Sequence, residues 1–173
     1  MNTGQIQLVV GALAILATLQ LAINSSILGG FISSYDSEAT IVAISIGESM
    51  SDEAMSKAFD QYVNPPSPDS LTSASKLGPD GFTEFIKSPD WEPFQSSRVY
   101  NDFDDYNKYV RKVSTPDLGD FQVRDSVIYV SGTDLDSLSN KQTWYKKLVV
   151  TVTHPNLLRP ITVRTIKAYR KAA

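Results

Sequence analysis

The 173-residue chain contains no cysteine, which excludes a disulfide scaffold, a thiolate metal site and a cysteine nucleophile. It has a single histidine, His154, followed directly by Pro155. That leaves no histidine cluster for a metal and no Ser/His/Asp machinery, so an enzymatic role is not expected and no cofactor is implied. Charge is also missing where it matters: no Asp, Glu, Lys or Arg occurs from Met1 to Tyr35, and no proline occurs before Pro65. The net charge of -3 arises from cancellation between segments. Residues 36–69 carry seven acids against Lys57 alone, residues 71–140 carry twelve acids against seven bases, and residues 141–173 carry eight bases and no acid.

What fills the charge-free stretch is an apolar run from Ile6 to Ile23, interrupted in polarity only by Gln7, Thr18 and Gln20. About 20 such residues span a bilayer as a helix. No Lys or Arg precedes the run, so a cleaved secretory signal is not expected. The missing basic flanks leave orientation open, although the acids after Asp36 are less expected on a cytoplasmic side. A plain single-pass anchor is one reading. A buried core helix is disfavoured because the rest of the chain offers too little apolar surface to cover it. Gln20 and Asn24 lie four apart on one helix face, and Gln7 with small Gly11, Ala14 and Ala17 permits close helix contact, which favours a helix bundle in an apolar medium. Beyond Gly29 and Gly30, a weak helical point, Ala39, Ala43, Ile46, Met50 and Ala54 recur at three- or four-residue steps while Glu48, Ser51, Asp52 and Ser56 fall elsewhere. The reading is therefore an apolar helix over 1–35, continued by an amphipathic helix over 36–64 and stopped at Asn64-Pro65-Pro66-Ser67-Pro68. Such a helix is roughly 90 Å long at 1.5 Å per residue, loosened at Gly29 and Gly30.

Residues 65–119 read as a proline-rich linker and irregular region, with a short helix near Phe82 to Ile86. Trp91, Phe94, Tyr100, Phe103, Tyr106 and Tyr109 are expected to plug a small core. Residues 120–173 read as an antiparallel sheet of three strands with alternating patterns: Phe121 to Tyr129, Trp144 to Thr153, and Ile161 to Thr165. Loops of this size favour a meander, with the amphipathic part of the helix as its cover. The expected class is α+β. Asp102, Asp104 and Asp105 offer oxygens of the kind calcium takes, as do Asp134 and Asp136, but the spacing does not fit a calcium loop and solvated turns are expected.

Several short motifs occur in a suggestive order: Glu38-Ala39, Ser45-Ile46-Gly47-Glu48-Ser49, Asp52-Glu53, Lys57-Ala58-Phe59-Asp60, Phe103-Asp104-Asp105-Tyr106-Asn107, Phe121-Gln122-Val123 and Lys146-Lys147-Leu148-Val149-Val150-Thr151-Val152. With the long helix and small sheet, they resemble type IV pilins and pseudopilins, and most closely the minor pilins of the mannose-sensitive haemagglutinin pilus group. The resemblance implies a structural subunit of a pilus-like extracellular filament, a helical homopolymer with helices inside and β domains outside. The implied partners are further copies of the chain, the assembly machinery of the inner membrane, and the membrane itself before assembly. The implied location is the inner membrane first and the cell surface afterwards. The family's basic leader is missing, so either Met1 is an initiator that stays or the chain is already the mature form. Where the family has a glutamate offsetting a neighbour's terminal amine, this chain has Gln5, which hydrogen-bonds but brings no charge. The family's helix-loosening proline is missing too, leaving Gly29 and Gly30 for that role.

The assembly residues are thus expected to be Gln5, Gln7, Gly11, Ala14, Ala17, Gln20 and Asn24. Glu38, Glu48, Asp52 and Glu53 on one side, with Arg164, Lys167, Arg170 and Lys171 on the other, could set register between subunits. Pairing of these bases with acids inside one subunit is an equal alternative. Nucleic acid binding through Arg170 and Lys171 is disfavoured. The alternative function is a membrane-anchored minor pilin, pseudopilin or accessory adhesion module that does not polymerise alone. A membrane-bound enzyme with a dispersed Asp/Ser/Lys site is a third, weaker class.

Overall fold

The computed structural model describes residues 2–62 and 64–170. It contains a long helix α1 (Thr3–Ser56), a one-turn helix α2 (Ser96–Val99), and four strands, β1 (Val110–Thr115), β2 (Gly119–Tyr129), β3 (Tyr145–Thr153) and β4 (Ile161–Ala168). The class is α+β, with a long N-terminal helix packed on a small antiparallel sheet. The chain divides into two compact units, Met1–Glu38 and Ala39–Ala173.

In the first unit, the carbonyl of Asn2 accepts the Gln5 amide at 2.9 Å while the Gln5 side chain accepts the Asn2 amide at 3.4 Å. Gln5 thus makes the returning half of a capping box. The Thr18 hydroxyl donates to the Ile15 carbonyl at 2.9 Å, which satisfies it inside the helix. Gly29 and Gly30 lie in unbroken helix. With aliphatic residues on both sides, the backbone bonds are enough to carry the helix through them.

In the second unit, the sheet is a meander in the order β1-β2-β3-β4, all neighbours antiparallel. Val123 of β2 pairs with Arg111 of β1 and with Val152 of β3. The alternating apolar residues Phe121, Val123, Val127 and Tyr129 of β2 and Leu148, Val150 and Val152 of β3 are buried, and Ala39, Ala43, Met50 and Ala54 of α1 join them. Small residues bring α1 close to β4: a Cβ on Gly47 would lie 2.8 Å from the Val163 Cγ2. One turn on, the Ser51 hydroxyl meets that of Thr165. Ser51 therefore lies on the packed face, not on the outer face expected for it, because its hydroxyl has a partner on β4 that the helix pattern cannot show.

A fourth strand, β1, lies inside the segment expected to be irregular. Its one fully buried residue is Arg111, with only Val113 on the same face adding an apolar side chain to the core, so the apolar alternation that marks a strand is weak there. Arg111 donates to Glu53 Oε2 and Ser96 Oγ, each at 2.7 Å, and lies 4.1 Å from the Phe94 ring centre. Ser96 and Tyr106 donate to Glu53 Oε1 at 2.6 and 2.9 Å, and Tyr109 donates to Asp90 Oδ2 at 2.7 Å. This buried network ties the last turn of α1 to the sheet. Tyr100, Tyr106 and Tyr109 pack edge to face at 5.0 to 5.9 Å. With Phe103 they form the expected aromatic core, whereas Trp91 is exposed and lies beside the Lys112 ammonium.

Candidate functional site

Residues 3–35 of α1 are exposed along their whole length. Leu8 is 75% exposed, Leu21 73% and Ile32 68%, and the other large aliphatic residues of the stretch lie between 47% and 70%. At about 25 cal/mol for each Å² of apolar surface, this length of bare hydrocarbon is incompatible with water. The helix is long and apolar enough to cross a membrane. All the expected assembly residues, Gln5, Gln7, Gly11, Ala14, Ala17, Gln20 and Asn24, lie on this helix and are exposed. Gly4, Gln7, Leu8, Gly11, Ala12 and Ile15 border one shallow groove, in which a Cβ on Gly4 or Gly11 would meet nothing within 4 Å. The backbone is thus accessible on the face that carries Gln7 and Gly11.

The charged residues separate into two groups. Glu38, Glu48, Asp52, Arg164 and Arg170 are exposed. Glu53 is turned inward to Arg111, so it is used within the chain and is not free for a neighbouring subunit. Lys167 likewise donates to the carbonyls of Met55, at 2.9 Å, and Lys57. It holds the C-terminal end of α1, where unpaired carbonyls favour a cation. Burial, the largest influence, lowers the Lys167 pKa to about 8. Lys171 lies outside the described residues. The internal-pairing alternative therefore holds for part of the basic C-terminal segment: Lys146 contacts Asp60 and Asp104, and Lys147 contacts Asp136.

No known protein family, characterised protein or solved structure matches this chain. Its function must be read from its own chemistry.

The acidic turn at Asp102 to Asp105 is not solvated. Asp102, Asp104 and Asp105 are all buried, and Asp104 faces the buried Lys146. Lys146 has no exposed surface. Its ammonium donates to Asp60 Oδ2 at 2.8 Å, to the Phe59 carbonyl at 2.9 Å, and to Asp104. Burial first, then the charges of Asp104 and Asp105, raises the Asp102 pKa to about 9. Burial likewise raises the Asp104 pKa, outweighing the nearby Lys146. Among the described residues no group of three or more His, Cys, Asp or Glu is placed to hold a metal ion. By contrast, Asp134 and Asp136 are exposed turn residues, as expected.

The sequence pattern put Lys146 on the same strand face as Leu148, Val150 and Val152 but gave no sign of the acids that would meet it. They arrive from far along the chain, 86 residues away for Asp60 and 42 for Asp104.

Proposed function

We propose that the chain is a structural subunit of a type IV pilus-like filament, held in a membrane by α1 before assembly and packed against copies of itself afterwards. The observation carrying this reading is the bare apolar helix over residues 3–35 joined to a sheet unit that has its own core. A helix that cannot stay in water has two dry environments open to it, lipid and other helices, and a filament uses both in turn. The groove at Gly11 and the amides of Gln20 and Asn24 favour the second environment, since small residues allow close approach and amides can hydrogen-bond across helices. Contacts of unlike surfaces that do not close on themselves generate a helical polymer. Exposed Glu38, Glu48 and Asp52 can meet Arg164 or Arg170 of a neighbour, setting register more than affinity.

Substitution of Gln20 by Lys tests the interior role. A charge on this face is costly in a dry helix bundle. Cells making Gln20→Lys are expected to lose filaments in negative-stain images while the sheet unit keeps its fold. Normal filaments in that variant, or filaments that persist when the chain is deleted, would overturn the reading.

A second reading, a membrane-anchored pseudopilin or adhesion module that does not polymerise alone, is favoured by one feature. An open cleft of about 480 Å³ is lined by Leu77, Phe85, Ile86, Tyr100 and Lys108, and Phe82 next to it is fully exposed. Such a surface suits a partner at a tip. Filaments that require a different major subunit would favour this reading over the first.

A further inference from the structure

The Lys146 cluster holds a nucleophile and an electrophile in one dry pocket. The side chains of Lys146, Asp60 and Asp104 have no exposed surface. The rings of Phe59 and Tyr129 lie 4.7 and 5.3 Å from the ammonium. The two carboxyls that meet it are not equivalent. Asp60 accepts further hydrogen bonds: from the Thr72 amide at 3.1 Å, and from the Thr72 hydroxyl and the Tyr62 amide at 3.3 Å each. Asp104 has only the Asp102 carboxyl beside it as a further partner, and its Oδ2 is buried without a partner, as is Asp102 Oδ2. An unpaired buried carboxylate oxygen is costly, and a protonated carboxyl relieves that cost. Asp104 thus presents an acid carbon to Lys146 where water is excluded, while the Asp60 carboxyl lies 2.8 Å from the same ammonium. Fixing reactants in this way replaces an encounter between free groups with an intramolecular step.

We propose that Lys146 and Asp104 condense into an intramolecular isopeptide bond, with Asp60 as base and Asp102 as acid. Lys146 passes one proton to the Asp60 carboxylate, and the freed amine attacks Cγ of the protonated Asp104. The new C–N bond forms and the Asp104 C–O bond breaks. The hydroxyl takes a proton from Asp102 and leaves as water, and Asp102 regains its proton from the amide nitrogen. One amide and one water result, with no oxidant, metal or activated co-substrate consumed. The bond joins β3 to the turn that precedes β1, closing a loop that contains β1 and β2. It does not depend on the filament reading.

The full-length chain, denatured and digested, is read by mass spectrometry. A joined peptide containing Lys146 and Asp104, lighter by one water than its two parts, is expected. Reading peptides makes the result independent of any processing of the N-terminus. Asp104→Asn is expected to lose ammonia in place of water, and Lys146→Met to show neither the joined peptide nor the mass loss. Separate Lys146 and Asp104 peptides of full mass in the unsubstituted chain would overturn the proposal, and this result requires no variant to fold. A bond from Lys146 to Asp60, with water still lost in Asp104→Asn, would overturn the assigned roles.

Discussion

A carboxyl that keeps its proton in the folded state makes stability fall as pH rises, the reverse of a carboxylate held in a salt bridge. Asp105 is such a group. Burial, reinforced by Glu84 and Asp80, raises its pKa to about 6 despite the amides of Asn101 and Asp102 that donate to its Oδ2. The unfolded chain releases this proton near its ordinary value of 3.8, while the folded chain retains it to about 6. The stability from Asp105 is therefore complete below the first value and lost as pH rises through the second. Across that window the loss is on the order of 2 kcal/mol. Asp105→Asn is expected to remove this component, so its denaturation midpoint should change less than that of the unsubstituted chain between pH about 4 and about 7. Parallel pH profiles for the two proteins would show that Asp105 is charged in the fold.

The contact between α1 and β4 depends on a position with no side chain. Gly47 costs the helix about 1 kcal/mol relative to alanine, yet alanine there would bring its Cβ into the Val163 side chain. Val163 is β-branched and stiff, so it yields little. Overpacking of this kind costs about 1 to 3 kcal/mol. Gly47→Ala is therefore expected to give a net loss of up to about 2 kcal/mol in denaturant unfolding, and Val163→Ala in the same chain to recover part of it. Additive losses would place the two residues out of contact. Much of this layer was legible in the sequence. Ala39, Ala43, Met50 and Ala54 showed the helix face, and the alternation in β2 and β3 showed which side chains enter the core, because apolar burial leaves a period in the chain. Strand β1 was not legible, since its one fully buried residue is Arg111 and Val113 alone is too little apolar alternation to mark a strand. Glu53, Arg111 and Lys146 share that difficulty: a buried charge looks like an exposed one until the fold brings its distant partner to it. At the candidate site, the exposed helix was evident from hydropathy alone, whereas the inward use of Glu53 and Lys167 was not.

The charge-free helix and the sheet unit make opposite demands on their surroundings. Residues 3–35 bury nothing within the chain, while the unit from Ala39 onward has a full core of its own. Deleting residues 1–35 is therefore expected to leave a protein that stays in solution without detergent and keeps a cooperative thermal transition in circular dichroism, whereas the whole chain needs detergent to stay dispersed. Loss of the transition in the truncated protein would show that the apolar helix is needed for the sheet unit to fold. The pairing of α1 with β4 has a further consequence, set by the order in which the chain is made. Ser51 and Thr165, which meet across this contact, are 114 residues apart. The face of α1 at Ala43, Gly47 and Ser51 has no β4 to cover it until the residues between Ser51 and Thr165 have been made. The apolar helix is made before β4, so it is free to find an apolar surrounding while this contact of the sheet unit is still open.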